Sequence, residues 1–259
     1  MTRSRSRHAS GSDQLTSMHP FFSSSRPLVF AHRGGSALAP ENTITAFDNG
    51  LALGSDGLEL DVRLSRDGAV VVHHDRTLDR TTTLRGPIAD RTANELRRAG
   101  VPVLADVLAR YREARIIIDL KVDRSALADA TIDAIRRADA VERVCLASFG
   151  RRVLRAARAL DPDIATSAAR EEVRWALYRS WCRWPVSRAA YAGYQVPEAA
   201  GRTRVVSAPF VAAAHRAGLG VQVWTVDCEE DARRLIGWGV DGLITDRPDR
   251  IVPLVLRGG

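Results

Sequence analysis

The chain has 259 residues, 45% of them hydrophobic and 27% charged, with a formal charge of +7. That length suits one large domain or two modest ones with a real core, and no apolar run approaches the ~20 residues a membrane-spanning helix needs. The charge is uneven, +3 in residues 1–27 and +6 in residues 151–204, leaving the remainder near −2; a global nucleic-acid surface explains it poorly, and nucleic acid is not an expected partner.

Residues 1–27, "MTRSRSRHASGSDQLTSMHPFFSSSRP", are Ser- and Arg-rich without periodicity and read as a disordered tail. Phe21-Phe22 is too short to be the apolar region of a secretory signal. Cys145, Cys182 and Cys228 form neither a metal-ligand spacing nor an even disulfide set, which points to a reducing cytoplasm.

From residue 28 to 256 the chain reads as one domain. "LVFAH" (28–32) predicts a strand, and Ile44, Phe47 and Leu51 then recur at helical spacing before a stop at Gly54. "GLELDVRL" (57–64) and "AVVVHH" (69–74) follow as strands. "RIIIDLK" (115–121) reads as a buried strand, followed by a helix over 125–138. Further strands are expected at 143–149, 163–169, 193–197, 218–227 and 239–246, with a helix over 229–237. Apolar strands alternating with helices argue a parallel sheet covered by helices, and about eight such units fit a (β/α)8 barrel, the TIM-barrel architecture. A Gly-x-Gly-x-x-Gly turn after the first strand, which a dinucleotide fold would need, is missing. The "SRDG" link between Leu64 and Ala69 is too short for a helical crossover, so the second and third strands are expected to pair antiparallel, an irregularity in the barrel.

Polar residues collect at the strand ends. His32 ends the first strand, Glu59 and Asp61 share a face of the second, and His73 and His74 end the third. Asp119 and Lys121 end "IIIDLK", Thr225 and Asp227 follow Trp224, and Thr245-Asp246 end the last strand. In a parallel barrel these ends meet at one mouth. Glu59, Asp61 and Asp119 gathered there would repel one another; either each pairs with an arginine or one divalent cation lies among them, and all-oxygen ligands suit Mg2+ or Ca2+ better than zinc. Lys121 is the only lysine among 38 basic residues, which suggests a need for a compact ammonium near a phosphate or oxyanion. Two histidines at one mouth suggest a general acid and a general base. Both faces of "VVVHHD" are apolar, so alternation does not decide whether His73 or His74 points inward.

Taken together, "AHRGGSALAPENTITAF", "LELDVRLSRDGAVVVHHDRTLDRTT", "IIIDLK", Ser148-Phe149, "VWTVD" and "GVDGLITDRP" resemble the glycerophosphodiester phosphodiesterase family from about residue 28 to 250. The resemblance implies a (β/α)8 barrel that uses a divalent cation to cleave small glycerophosphodiesters to an alcohol and glycerol 3-phosphate. By motif, His32 and His74 are the acid/base pair, leaving His73 a bystander. Glu59 and Asp61 are metal carboxylates, with Asp119 where the family usually has Glu, one methylene longer. Arg33 and Lys121 would hold the phosphate, Trp224 would wall the glycerol side, and Glu41 and Asn42 would brace the first loop. Asp227 stands where the family often has Asn, a change expected to affect substrate contacts. The stretch 76–114 is short for the family and implies an open site.

"REEVRWALYRSWCRWP" (170–185) interleaves Trp175, Tyr178, Trp181 and Trp184 with arginines. Either a barrel helix packs these aromatics on the sheet, the simpler reading, or residues 170–188 touch a membrane peripherally. The second case would make the enzyme a phospholipase-D-like hydrolase of lysophospholipids or membrane lipids. A non-catalytic phosphate-binding barrel is the remaining alternative, and the oligomeric state is not legible.

Overall fold

The computed structural model describes residues 18–181 and 189–258. In chain order the elements are β1 (Leu28–His32), α1 (Ile44–Ala52), β2 (Gly57–Leu64), β3 (Val70–Val72), α2 (Ala93–Arg98), α3 (Leu104–Arg110), β4 (Arg115–Leu120), α4 (Ser125–Arg137), β5 (Val144–Ala147), α5 (Arg151–Leu160), β6 (Ala165–Thr166), α6 (Arg170–Trp181), β7 (Gly193–Pro197), β8 (Ala199–Ala200), β9 (Thr203–Arg204), α7 (Ala208–Arg216), β10 (Gly220–Trp224), α8 (Glu229–Gly237), β11 (Gly242–Thr245) and α9 (Pro248–Leu256).

Eight strands run parallel in the order β6-β5-β4-β2-β1-β11-β10-β7, and a single parallel bridge between Ser167 and Gly193 spans the remaining gap. This is the expected (β/α)8 barrel. The expected irregularity is present as well: β3 lies antiparallel to β2, with Val62 opposite Val72 and Leu64 opposite Val70. The stretch 76–114 folds beside that hairpin, where Leu78, Ile88, Leu96 and Val101 cover Val71. Among the described residues no helix is long and apolar enough to cross a membrane.

Alternation along the strands explains how charge coexists with core. Leu58, Leu60 and Val62 of β2, and Ile116, Ile118 and Leu120 of β4, face outward into the shell shared with α3, α4 and α5. Their neighbours Glu59, Asp61, Ile117 and Asp119 therefore face the barrel axis, since residues two apart share a face. The parallel register sets Asp61 beside Asp119 and His32 beside Glu59.

The lower barrel is filled from outside the strands. Phe21 and Phe22 are buried and join Leu28, Phe30, Ile117, Cys145, Ala165 and Ile244 in one cluster. Phe21 meets Phe22 edge-on at 5.4 Å and stacks on Phe30 at 5.8 Å. Gly193 and Gly220 leave the room: a Cβ there would lie 2.7 Å and 2.5 Å from Phe22 atoms. Arg26 is pinned to Asp56 by two hydrogen bonds of 2.7 and 2.8 Å. Phe21, Phe22 and Arg26, which the sequence assigned to the tail, thus pack against the barrel. Burial of two phenylalanines outweighs the entropy of ordering a Ser-rich stretch; residues 1–17 lie outside the described part.

Candidate active site

Each strand-end side chain is held by a neighbour from another element. His32 ends β1 with Nδ1 2.7 Å from Asp246 Oδ1, just past β11, and Nε2 3.8 Å from Glu59 Oε2. Burial disfavours its charged form, but the Glu59 and Asp246 carboxylates outweigh that and hold His32 above the usual histidine range. Ser36 Oγ donates to the same Asp246 oxygen at 2.5 Å.

His74 has the same kind of partner: Nδ1 lies 2.7 Å from Asp75 Oδ1. Arg63 donates to the His74 carbonyl at 2.9 and 2.7 Å and fixes the backbone there. His73 turns away, its Nε2 3.1 Å from the Thr77 carbonyl, and burial pushes it below the ordinary histidine range. The parity question is thereby answered in favour of His74, which lines the cleft with His32.

Glu59, Asp61 and Asp119 offer oxygens that all lie within 4.8 Å of one another. The shorter Asp119 side chain therefore still reaches. Lys121 Nζ sits 2.7 Å from both Asp61 Oδ1 and Asp119 Oδ2, and Arg33 Nε lies 3.2 Å from Asp61 Oδ2. Asn42 braces Asp61 twice, donating from Nδ2 at 2.8 Å and accepting the Asp61 N–H at 3.2 Å. Glu41 joins the brace through Arg33 at 3.2 Å. Both loop residues thus do what the sequence implied.

The cations within the cluster do not relieve all of its charge. Burial and the neighbouring Asp61 push Glu59 up to about 7. Burial, with Asp61 beyond it, also raises Asp119 despite Lys121. Asp61 is held low, because Lys121 and Arg33 overcome its burial. Lys121 is 2.7 Å from Asp61 Oδ1 but poorly aligned, and that buried oxygen makes no hydrogen bond. Three convergent carboxylates, two of them held back from ionising and the third with an oxygen that makes no hydrogen bond, fit a hard divalent cation such as Mg2+ or Ca2+. The rival expectation, simple pairing of each acid with an arginine, holds only for Asp61.

Sequence reasoning left three positions without a role. Asp75 and Arg80 stand in "HHDRTLDR", where Arg80 donates to Asp75 at 2.6 Å and to both Glu41 oxygens at 2.7 Å. Arg80 thereby ties the His74 loop to the Arg33 loop and holds Asp75 well below the usual carboxylate range. Asp246 is the third, and a carboxylate ending the last strand beside a histidine ending the first was the available signal. Asp227 also has a partner within the barrel. It accepts from Thr245 Oγ1 at 3.0 Å and from the Asp246 N–H at 2.8 Å, so it fixes the end of β11.

Above these groups opens a cleft of about 1330 Å³. Trp224 forms one wall and meets Phe149 edge-on at 6.0 Å. Arg170 lies over the Phe149 ring at 4.7 Å. The simpler reading of α6 is also corrected: Ala176 and Leu177 pack against the core, whereas Trp175 and Tyr178 are 66% and 52% exposed. Residues 182–188, Trp184 among them, lie outside the described part, as does the side chain of Trp181.

A closed ring of parallel strands with titratable side chains gathered at its carboxyl ends is the architecture of a barrel enzyme. The glycerophosphoryl diester phosphodiesterase family matches residues 32–250, and the chain belongs to that family. A glycerophosphodiester phosphodiesterase of Caldanaerobacter subterraneus is 32% identical over 90% of this chain and all of its own length. Among solved structures, the glycerophosphodiester phosphodiesterase of Agrobacterium tumefaciens is 27% identical with a TM-score of 0.73, covering 88% of this chain and 99% of that one. A phosphodiesterase of Oleispira antarctica in complex with the product sn-glycerol-3-phosphate is 27% identical, with a TM-score of 0.72 and coverage of 89% and 97%.

Proposed function

We propose that this protein hydrolyses glycerophosphodiesters to an alcohol and glycerol 3-phosphate with the aid of one divalent cation. The observation that carries the reading is the pairing of each cleft histidine, His32 and His74, with an aspartate at Nδ1, across the same cleft as a three-carboxylate cluster. An aspartate at Nδ1 orients the ring, leaving Nε2 to exchange a proton with substrate.

Glu59, Asp61 and Asp119 would hold the cation, which when bound neutralises the phosphodiester and polarises its P–O bond. Arg33 and Lys121 would add positive charge beside the phosphate oxygens. Trp224 would support the glycerol. One histidine takes a proton from the attacking oxygen, either water or the neighbouring glycerol hydroxyl, and the other gives a proton to the departing alkoxide. The elevated His32, close to Glu59 and Asp246, suits the donor.

The test is glycerol 3-phosphate release from glycerophosphocholine and glycerophosphoethanolamine with Mg2+, with Ca2+ and with EDTA. Release that needs a cation and falls at least about a hundredfold in His32→Ala and in His74→Ala is expected for an acid/base pair. Release unaffected by either substitution would refute the assignment.

A further inference from the structure

The floor of the cleft holds a hydrogen-bond acceptor that the proposed reaction does not use. Gln195 lies on β7, which stands across the barrel from β2 in the strand order, and it lines the same cleft as His32, Glu59, His74 and Lys121. Its side-chain Nε2 donates to Gln222 Oε1 at 2.8 Å and approaches Cys145 Sγ at 3.8 Å. Both amide protons are therefore committed. The carbonyl oxygen is not. Gln195 Oε1 is buried and, among the described residues, receives no hydrogen bond. Gln222 Nε2 is unpartnered as well, but Gln222 is fully buried and does not line the cleft, so Gln195 Oε1 is the open atom that a ligand can reach.

A carbonyl shut away from water without a donor is costly, and folded proteins keep few of them. Its position says which donor is missing. Gln195 pairs with Gln222, and Trp224 lies two residues beyond Gln222 on β10, on the same inward face and one level nearer the mouth. The amide thus sits below the wall that would support the glycerol. On the facing side, Glu59, Ile117 and Cys145 are successive register partners, and the contact with Cys145 sets Gln195 at the depth of Glu59. A diester with its phosphate at the carboxylates and its glycerol on Trp224 brings two hydroxyls. The one beside the phosphorylated carbon is a candidate attacking oxygen. The terminal one has no part in the reaction, and a choline headgroup has no proton to donate.

We infer that Gln195 Oε1 accepts the terminal hydroxyl of the substrate's glycerol, and that Gln195 selects glycerol against diols lacking that hydroxyl. The inference rests on the phosphodiesterase reading above and changes none of its bonds. An analogue without the donor leaves the buried acceptor unpaired and is rejected for that reason.

Three choline diesters would be compared, using the full chain with Mg2+: glycerophosphocholine, its terminal-deoxy analogue (the propane-1,2-diol diester) and its terminal-fluoro analogue. All three keep the hydroxyl beside the phosphate, and choline release reports on each. Fluorine approaches a hydroxyl in size but donates no proton, so kcat/KM should fall about ten- to a hundredfold for both analogues. In Gln195→Leu the three values should converge to within about threefold, as a pairwise cycle between residue and hydroxyl requires. Where a thermal melt shows Gln195→Leu to be unfolded, Gln195→Met makes the same comparison. Equal turnover of glycerophosphocholine and the deoxy analogue by the parent would overturn the inference and leave Oε1 to a trapped water. Full activity on the fluoro analogue would overturn the acceptor role, and discrimination that survives the substitution would assign it to another residue. No choline from any of the three, with Mg2+ or with Ca2+, would instead remove the phosphodiesterase reading, and this inference with it.

Discussion

Glu59→Gln should stabilise the cation-free protein while abolishing its activity. Glu59 is 6% exposed and its carboxyl is raised from 4.5 to about 7 by burial and by Asp61. Between those values the unfolded chain ionises this group and the folded chain keeps the proton, so the fold loses stability as pH rises. The loss begins near pH 4.5 and is complete above pH 7. The shift corresponds to about 3 kcal/mol at pH 8. Glutamine mimics the protonated form, and its carbonyl oxygen can still accept the Arg33 N–H that now reaches Glu59 at 3.0 Å. Urea unfolding in EDTA should show the variant more stable by up to about 3 kcal/mol at pH 8, with under about 1 kcal/mol of that left at pH 5. A gain equal at both pH values, or a loss at pH 8, would refute the claim that the cluster is under electrostatic strain without a cation.

Cation binding should displace the Glu59 proton. Calorimetry in buffers of different ionisation enthalpy should find about 0.9 proton released at pH 6 and about 0.1 at pH 8; equal release at both would contradict the assignment. Arg80→Gln should lower kcat by roughly ten- to a hundredfold, because charge-assisted bonds of about 1.5–3 kcal/mol are lost. Arg80→Lys should recover part of it, and a purely structural role would instead appear as a lowered Tm with kcat intact. Phe22→Ala should cost about 3–5 kcal/mol in guanidinium unfolding, and Gly220→Ala, whose methyl would meet Phe22 at 2.5 Å, should also destabilise.

Most of the barrel was legible because its strands are short, apolar and evenly spaced, and the site because its residues end those strands. Parity along "GLELDVRL" placed Glu59 and Asp61 on one face without any structure. "VVVHHD" could not do the same, since Val71 is buried under the 76–114 module while Val70 and Val72 are buried against the barrel's helices. Helix α5, "RRVLRAARAL", escaped notice because arginines dominate it and only Val153, Leu154 and Ala157 are buried. Phe21-Phe22 was missed for a deeper reason. The pair gains meaning only from Gly193 and Gly220, some 170 to 200 residues later in the chain, and no local window spans that distance. Asp75, Arg80 and Asp246 were visible as residues, but their partners come from other strands and loops.

The Phe21–Phe22 plug also sets an order of events. Its seat includes Gly193 of β7 and Gly220 of β10, which follow it by some 170 to 200 residues, so Phe21 and Phe22 cannot find their place until most of the barrel has been made. Contacts of such long sequence separation form slowly, and a barrel emerging amino end first exposes the apolar pair meanwhile. Seating the plug is therefore expected to be a late step in assembly, with the bottom of the barrel sealed by a segment that precedes every one of its strands.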